Sequence, residues 1–126
     1  MIRELCVDES QETEEPNVSA SYSILQLPVR LDGQTGGELE GRLRSGFPES
    51  VQHLVLDMST VEFISSAGIR FLILAANHFR KRGGSVLLCS PGTAVSQVLQ
   101  ITGLTTTFPI HADVKSAVNS VSAESL

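Results

Sequence analysis

The fold is decided by residues 55–70, which read VLDMSTVEFISSAGIR. An apolar strand ends here in the carboxylate of Asp57, and the pattern predicts that a long helix opens on the paired serines Ser65 and Ser66. The first turn of a helix leaves backbone N–H groups unpaired, and the helix dipole favours a negative group there. The sequence therefore predicts that a phosphate on Ser66 would be accommodated at the helix start and would change the local surface abruptly.

Strand and helix patterns alternate outward from this stretch. The predicted strands cover residues 2–7, 22–27, 51–56, 85–89 and 105–110. The predicted helices cover residues 34–44 and 66–82, a segment with Ser90 as N-cap and Pro91 as first helical residue, and a last segment capped by Asp113. This order predicts an α/β fold with right-handed crossovers, in which a mixed, mostly parallel sheet of four to five strands is covered by about four helices.

Length and charge divide the chain into one folded body and an acidic segment. The chain has 126 residues and is 41% hydrophobic, which is enough for one domain with a core. Its net charge of −5 is concentrated in residues 1–20, where six acids face Arg3 alone. We predict an acidic N-terminal segment over 1–20 with a candidate edge strand and a mobile loop, a domain over 21–122, and a frayed end over 123–126.

Several function classes are disfavoured by what the sequence contains. The body of the chain is electrically balanced, so we expect no nucleic-acid binding. Two cysteines make no disulfide framework, and no apolar run reaches the roughly 20 residues of a membrane span, so we expect a cytoplasmic protein without a membrane partner. The sequence has no histidines spaced as metal ligands or as part of a catalytic triad, and it has no glycine-rich phosphate-binding loop. We therefore expect no metal, no cofactor and no catalysis.

Asp57 has three interpretations at this point. It caps the backbone of the loop that follows, it helps to present the phosphoacceptor, or it accepts phosphate itself as in a response-regulator receiver. The receiver interpretation lacks an acidic pair after an early strand and a lysine at the end of the last strand.

The long helix has two apolar faces. At about 100° per residue, the face predicted to be the core carries Ile69, Leu72, Ile73, Ala76 and Phe79. The opposite face carries Ala67, Arg70, Phe71, Leu74, His78 and Lys81. Either a neighbouring helix covers Phe71 and Leu74, or these two form an apolar binding patch rimmed by Arg70, Asn77 and Lys81. Such a patch would serve a partner or a second copy, so the chain is expected to be a monomer or weak homodimer.

Taken together, these stretches resemble the STAS domain, the fold shared by anti-sigma factor antagonists and the cytoplasmic ends of sulfate transporters. The resemblance extends over roughly residues 20–121 and is specific in combination. The matching stretches are LDG at 31–33 followed by a Glu-Leu helix, LVLDMS at 54–59, FISSAGI at 63–69, RGGSVLL at 82–88 and LQITGL at 99–104.

The resemblance implies a regulatory binding module. The family's phosphoacceptor corresponds to Ser66, with Ser65 as second choice because it stands where many members have Asp. The implied partners are an anti-sigma factor with serine kinase activity and a histidine-kinase-like ATPase fold, which supplies the ATP and magnesium, and a phosphoserine phosphatase that resets the switch. The predicted partner-binding residues are Asp32, Asp57, Ser59, Ser65, Ser66, Gly68, Arg70, Phe71, Leu74 and Asn77.

Two other functions stay open from the sequence. One is a scaffold that docks onto an ATP-binding cassette transporter or a larger signalling assembly without a phosphorylation cycle. The other is an enzyme, either a small hydrolase or a phosphotransfer receiver with an acyl phosphate on Asp57. The hydrolase would need a glycine where the chain has Ile64 to form a nucleophile elbow.

Overall fold

The computed structural model describes residues 3–5, 22–48 and 50–124. Most of the predicted acidic segment, and the last two residues of the predicted frayed end, lie outside these ranges. The described strands are β1 (Arg3–Leu5), β2 (Tyr22–Gln26), β3 (Arg30–Leu31), β4 (His53–Asp57), β5 (Phe63–Ile64), β6 (Ser85–Cys89) and β7 (Ile110–His111). The described helices are α1 (Gly33–Ser45), α2 (Ser66–Arg80), α3 (Thr93–Ile101), α4 (Leu104–Thr107) and α5 (Val114–Glu124).

A five-stranded sheet forms the centre of the molecule, in the order β1-β2-β4-β6-β7. All neighbours pair in parallel except β1, which runs antiparallel to β2 at one edge. The short strands β3 and β5 pair in parallel as a separate ribbon. The predicted α/β fold with a mixed, mostly parallel sheet is thus confirmed, with five helices in the described residues.

The register aligns the ends of the parallel strands in one row. Gln26 is opposite Asp57, Asp57 is opposite Cys89, and Cys89 is opposite His111. We call this side of the sheet the carboxyl edge. Because each helix of a βα unit runs back against its strands, α1 and α2 begin at this edge and their first turns lie near one another.

Two apolar clusters cover the two faces of the sheet. Side chains alternate along β4, so Leu54 and Leu56 join the larger cluster while Val55 joins the smaller one. The larger cluster contains the buried residues of α1, α2 and α3. The smaller one is closed by α5, whose Ala117 and Val121 are buried as the predicted amphipathic helix requires. The Asp113 cap of α5 is also confirmed, since its Oδ1 accepts a 2.8 Å hydrogen bond from the backbone N–H of Ser116.

The predicted orientation of α2 is wrong for two residues. Phe71, expected on the outer face, is 2% exposed, while Ile73, expected in the core, is 43% exposed. The cause is α1, which packs against α2 and covers Phe71. Gly36 allows this approach, because a Cβ on it would lie 3.3 Å from the Ala67 carbonyl oxygen and 3.9 Å from the Phe71 Cβ. The alternative that a neighbouring helix covers the outer face therefore holds for Phe71, and Leu74 is half-buried against the same core.

Two local predictions after β6 are also wrong. Ser90 does not cap a helix: its backbone N–H donates to the His111 carbonyl at 3.0 Å, so it still belongs to the β6–β7 pairing, and α3 begins only after Gly92. Residues 105–110 do not form one strand. Gly103 has φ of 80° and starts the short helix α4, which buries Leu104, and the strand is confined to Ile110–His111.

Candidate functional site

The loop after β4 is held by the side chain at the strand end. The Asp57 carboxylate accepts a 3.0 Å hydrogen bond from the backbone N–H of Ser59. Met58 is buried beneath this turn, and the Gln26 amide donates to the Thr60 hydroxyl at 2.7 Å. The interpretation that Asp57 caps the loop backbone is therefore confirmed, and the loop is braced against two neighbouring strands.

An exposed apolar spot lies on the β3–β5 ribbon. Val29 and Phe63 are 45% and 42% exposed, and the backbone N–H of Phe63 donates to the Val29 carbonyl. The Arg30 guanidinium carbon lies 4.3 Å above the centre of the Phe63 ring, a cation–π contact. We call Val29, Arg30 and Phe63 the ribbon spot.

The first turn of α1 is closed by a capping box. The Asp32 side chain accepts hydrogen bonds from the backbone N–H groups of Gln34 and Thr35, and the Thr35 hydroxyl accepts one from the Asp32 backbone N–H. The backbone bond from Thr35 is the main reason that the pKa of Asp32 lies below its usual value, with Gln34, the Thr35 hydroxyl and Arg30 lowering it further. Asp32 is thus an ionised helix cap, which is its structural role.

The two serines at the start of α2 have different roles. Ser65 is the N-cap: its hydroxyl accepts a 3.3 Å hydrogen bond from the Gly68 N–H, and its own N–H donates to the Leu31 carbonyl at 2.9 Å. Ser66 is the first helical residue and is exposed. Within the described part of the chain its hydroxyl makes no hydrogen bond. The capping role that the sequence allowed for Ser66 belongs to Ser65.

Gly68 fixes how closely α2 sits on β3. A Cβ at this position would lie 2.4 Å from the Leu31 carbonyl oxygen and 2.9 Å from the Leu31 Cγ. No side chain fits there without displacing backbone, so the helix start is pressed directly onto the strand. As a result, Ser66 is held on a rigid base while it points to solvent.

The exposed side of α2 continues from Ser66 in helical steps. We call this side the α2 stripe; it consists of Ser66, Arg70, Ile73, Asn77 and Arg80. Within it, Arg80 donates a 3.0 Å hydrogen bond to the Asn77 side chain. Arg70 reaches across to α1, where its Nη1 lies 3.8 Å from Glu40 Oε1.

The family model for the STAS domain matches residues 11–117 of this chain. The chain belongs to the STAS domain family. This confirms the resemblance seen in the sequence.

Relatives of this STAS domain carry related names. It is 33% identical over 73 residues to BtrV of Bordetella bronchiseptica, provisionally named an anti-sigma factor antagonist; the match covers 58% of this chain and 63% of BtrV. It is 26% identical over 90 residues to the anti-sigma F factor antagonist of Paenibacillus polymyxa, covering 68% of this chain and 77% of that protein. The crystal structure of an anti-sigma factor antagonist from Mycobacterium paratuberculosis superposes with a TM-score of 0.73 at 26% identity, covering 96% of this chain and 94% of that one.

The STAS domain brings most of the predicted site residues to the carboxyl edge. Asp57 ends β4, and Ser59 lies in the turn that follows it. Four others lie at the two helix starts: Asp32, Ser65, Ser66 and Gly68. Arg70 and Asn77 continue outward along the α2 stripe, whereas Phe71 is buried and cannot contact a partner.

Of the four large apolar side chains exposed in the described residues, three lie at or beside the site and were missed by the sequence reasoning, while the fourth, Ile101, ends α3. Val29 directly precedes β3, and Phe63 is the first residue of β5. Each of these strands has two residues, which is too short to show an alternating pattern. Ile73 was assigned to the core because α2 is apolar over most of its circumference. A weak signal for Phe63 was available, since it follows Glu62 and stands outside the predicted strand 51–56 and the predicted helix 66–82.

The chemistry available at this site is that of a surface hydroxyl. Among the described residues no group of three His, Cys, Asp or Glu side chains is placed to hold a metal ion.

Cys89 is fully buried, and burial raises the pKa of its thiol to about 12, so it is a structural residue as predicted. No helix in the described ranges is long and apolar enough to cross a membrane.

Proposed function

We propose that this STAS domain is an anti-sigma factor antagonist that binds an anti-sigma factor when unphosphorylated and is released when Ser66 is phosphorylated. The observation that carries the proposal is the exposed Ser66 hydroxyl, which makes no hydrogen bond within the described part of the chain because Ser65 supplies the cap. The names of the Bordetella, Paenibacillus and Mycobacterium relatives support the same role.

The proposed docking surface combines the α2 stripe with the ribbon spot. Ile73 and Phe63 supply exposed apolar area, and Arg70 and Arg30 supply cations. Protein interfaces favour this composition, with aromatic and arginine side chains at the centre and polar groups around them. Asp32, Asp57 and Ser59 form the proposed polar rim at the carboxyl edge.

Phosphorylation would switch this surface without unfolding the domain. A phosphoserine carries about −1.5 to −2 charges at neutral pH. At the first residue of α2 this charge is compatible with the helix dipole, so α2 stays folded. When a partner binds the stripe, however, this charge would be removed from water or placed beside an acidic group of the partner. Both changes cost free energy, so binding would weaken. In this scheme the anti-sigma factor is the kinase, and a separate phosphatase restores Ser66.

The test begins with the modification itself. The protein is isolated from its own cells under growth and stress conditions, and residues 54–80 are mapped by mass spectrometry beside Ser66→Ala and Ser65→Ala variants. We expect one phosphate on Ser66 that disappears in Ser66→Ala and persists in Ser65→Ala. Phosphate on Ser65 alone would move the site by one residue.

The second part of the test concerns the partner. Proteins that co-purify with the wild type are identified, and an anti-sigma factor found in this way is purified and mixed with the chain. We expect a complex that dissociates on addition of ATP and magnesium, and that does not form with Ser66→Glu. If no phosphate is found in any condition and a transporter subunit co-purifies equally with Ser66→Glu, the scaffold function replaces this proposal.

A further inference from the structure

Arg70 lies one helical turn after Ser66 on the exposed side of α2. Residues four apart on a helix are neighbours on its surface, and an acidic group that precedes a cation by four residues is the favourable order. A phosphate on Ser66 would therefore stand in the best position for an ion pair with Arg70.

The present partner of Arg70 is weakly engaged. The Arg70–Glu40 distance of 3.8 Å is the longest among the ion pairs of the described residues, and 69% of the Arg70 side chain is exposed. Glu40 also accepts a 3.1 Å hydrogen bond from Arg44 within α1. An exposed pair at this distance contributes little to stability, and Glu40 would keep a cation if Arg70 left.

A phosphate is a stronger partner than this carboxylate. It carries up to twice the charge and offers three acceptor oxygens, and arginine binds phosphate through two parallel hydrogen bonds. The competition for Arg70 is therefore unequal once Ser66 is modified.

The geometry points to Arg70 as a residue that changes partner on phosphorylation: its guanidinium leaves Glu40 on α1 and binds the phosphate of Ser66. This inference rests on the proposed function, because it takes Ser66 as the site of modification. Two consequences follow. The phosphate is held over the first turn of α2, and the ion pair that links α1 to α2 across their exposed surface is lost.

The pairing is tested with phosphoserine installed genetically at position 66, so no kinase is required. The second pKa of the phosphate is measured by phosphorus NMR in otherwise wild-type protein, in Arg70→Gln and in Arg80→Gln. Arg80→Gln is the matched control, since it removes the same charge from the same stripe about three turns further along. We expect Arg70→Gln to raise the phosphate pKa by about 0.3 unit or more, and Arg80→Gln to change it by much less. The Arg70 Nε–H signal should also shift as the phosphate ionises.

Equal pKa shifts in the two variants would overturn the inference, because they would show only a general effect of net charge. Circular dichroism of each variant checks that the fold is retained. The titration is independent of events in the cell. If cells never phosphorylate Ser66, the proposed function fails while the pairing can still be measured; if the shifts are equal, the pairing fails and the proposed function stands.

Discussion

The two faces of α2 differ in how much freedom their side chains have. The inner face is buried and consists of Gly68, Phe71, Leu72, Ala75 and Phe79. It touches β3 and α1 so closely that even a methyl group on Gly68 would collide with backbone. The α2 stripe, by contrast, makes one long ion pair across to α1 and one local hydrogen bond to side chains that the structure describes. The difference indicates that one face determines the fold, whereas the other can be modified or bound without disturbing it.

The largest expected difference in stability is between alanine substitutions at two apolar residues of α2, Phe71 on the inner face and Ile73 on the exposed side. Phe71→Ala should lower the free energy of unfolding by about 4 kcal/mol, because it leaves a cavity between α1 and α2. Ile73→Ala, on the exposed side, should change it by less than about 0.5 kcal/mol. Urea denaturation of both variants measures the contrast. A large loss for Ile73→Ala with a small one for Phe71→Ala would reverse the assignment of the faces.

A smaller effect is expected where α2 touches β3. Gly68→Ala should cost about 2 to 3 kcal/mol, since the added methyl group must push α2 away from the Leu31 carbonyl. Gly37→Ala is the matched control, because Gly37 is an exposed helical glycine and a Cβ added to it would meet nothing within 4 Å. It should stabilise α1 by about 0.5 to 1 kcal/mol. The stability of both variants is measured by thermal and urea denaturation. Equal stability of the two would contradict the close contact between Gly68 and Leu31.

The smallest expected effect separates the paired serines. Ser65→Ala removes the cap of α2 and should cost about 1 kcal/mol. Ser66→Ala removes a hydroxyl that has no partner among the described residues, and it should change stability by less than about 0.5 kcal/mol, although it abolishes the proposed phosphorylation. If the two denaturation curves showed the opposite order, Ser66 would be the structural serine and the division of roles would be wrong.

The central fold could be predicted because strand and helix patterns alternate along the chain, and this order determines the layers. Residues 85–89 add a nearly all-apolar run, which indicates a buried parallel strand. The inward face of α2 could not be predicted in the same way. Apolar residues occupy most of its circumference, so periodicity leaves the direction ambiguous, and the outcome depends on how closely Gly36 lets α1 approach.

The site was predictable in its location and less so in its details. Strand ends and a serine pair indicated the carboxyl edge and the start of α2. Which serine caps the helix depends on a shift of one residue that sequence patterns rarely resolve. The ribbon spot depends on pairing between two strands of two residues each, and such pairing is set by the tertiary structure rather than by local sequence.

The antiparallel edge strand has a practical consequence for anyone who labels this protein. Because Arg3 pairs with Gln26, the first residue of β1 lies at the carboxyl edge, the side on which Ser66 lies. The helix α5 runs back from β7, so Glu124 lies at the opposite end. An affinity tag or fluorophore fused ahead of β1 would therefore stand beside the proposed docking surface, whereas one attached after α5 would leave that surface clear.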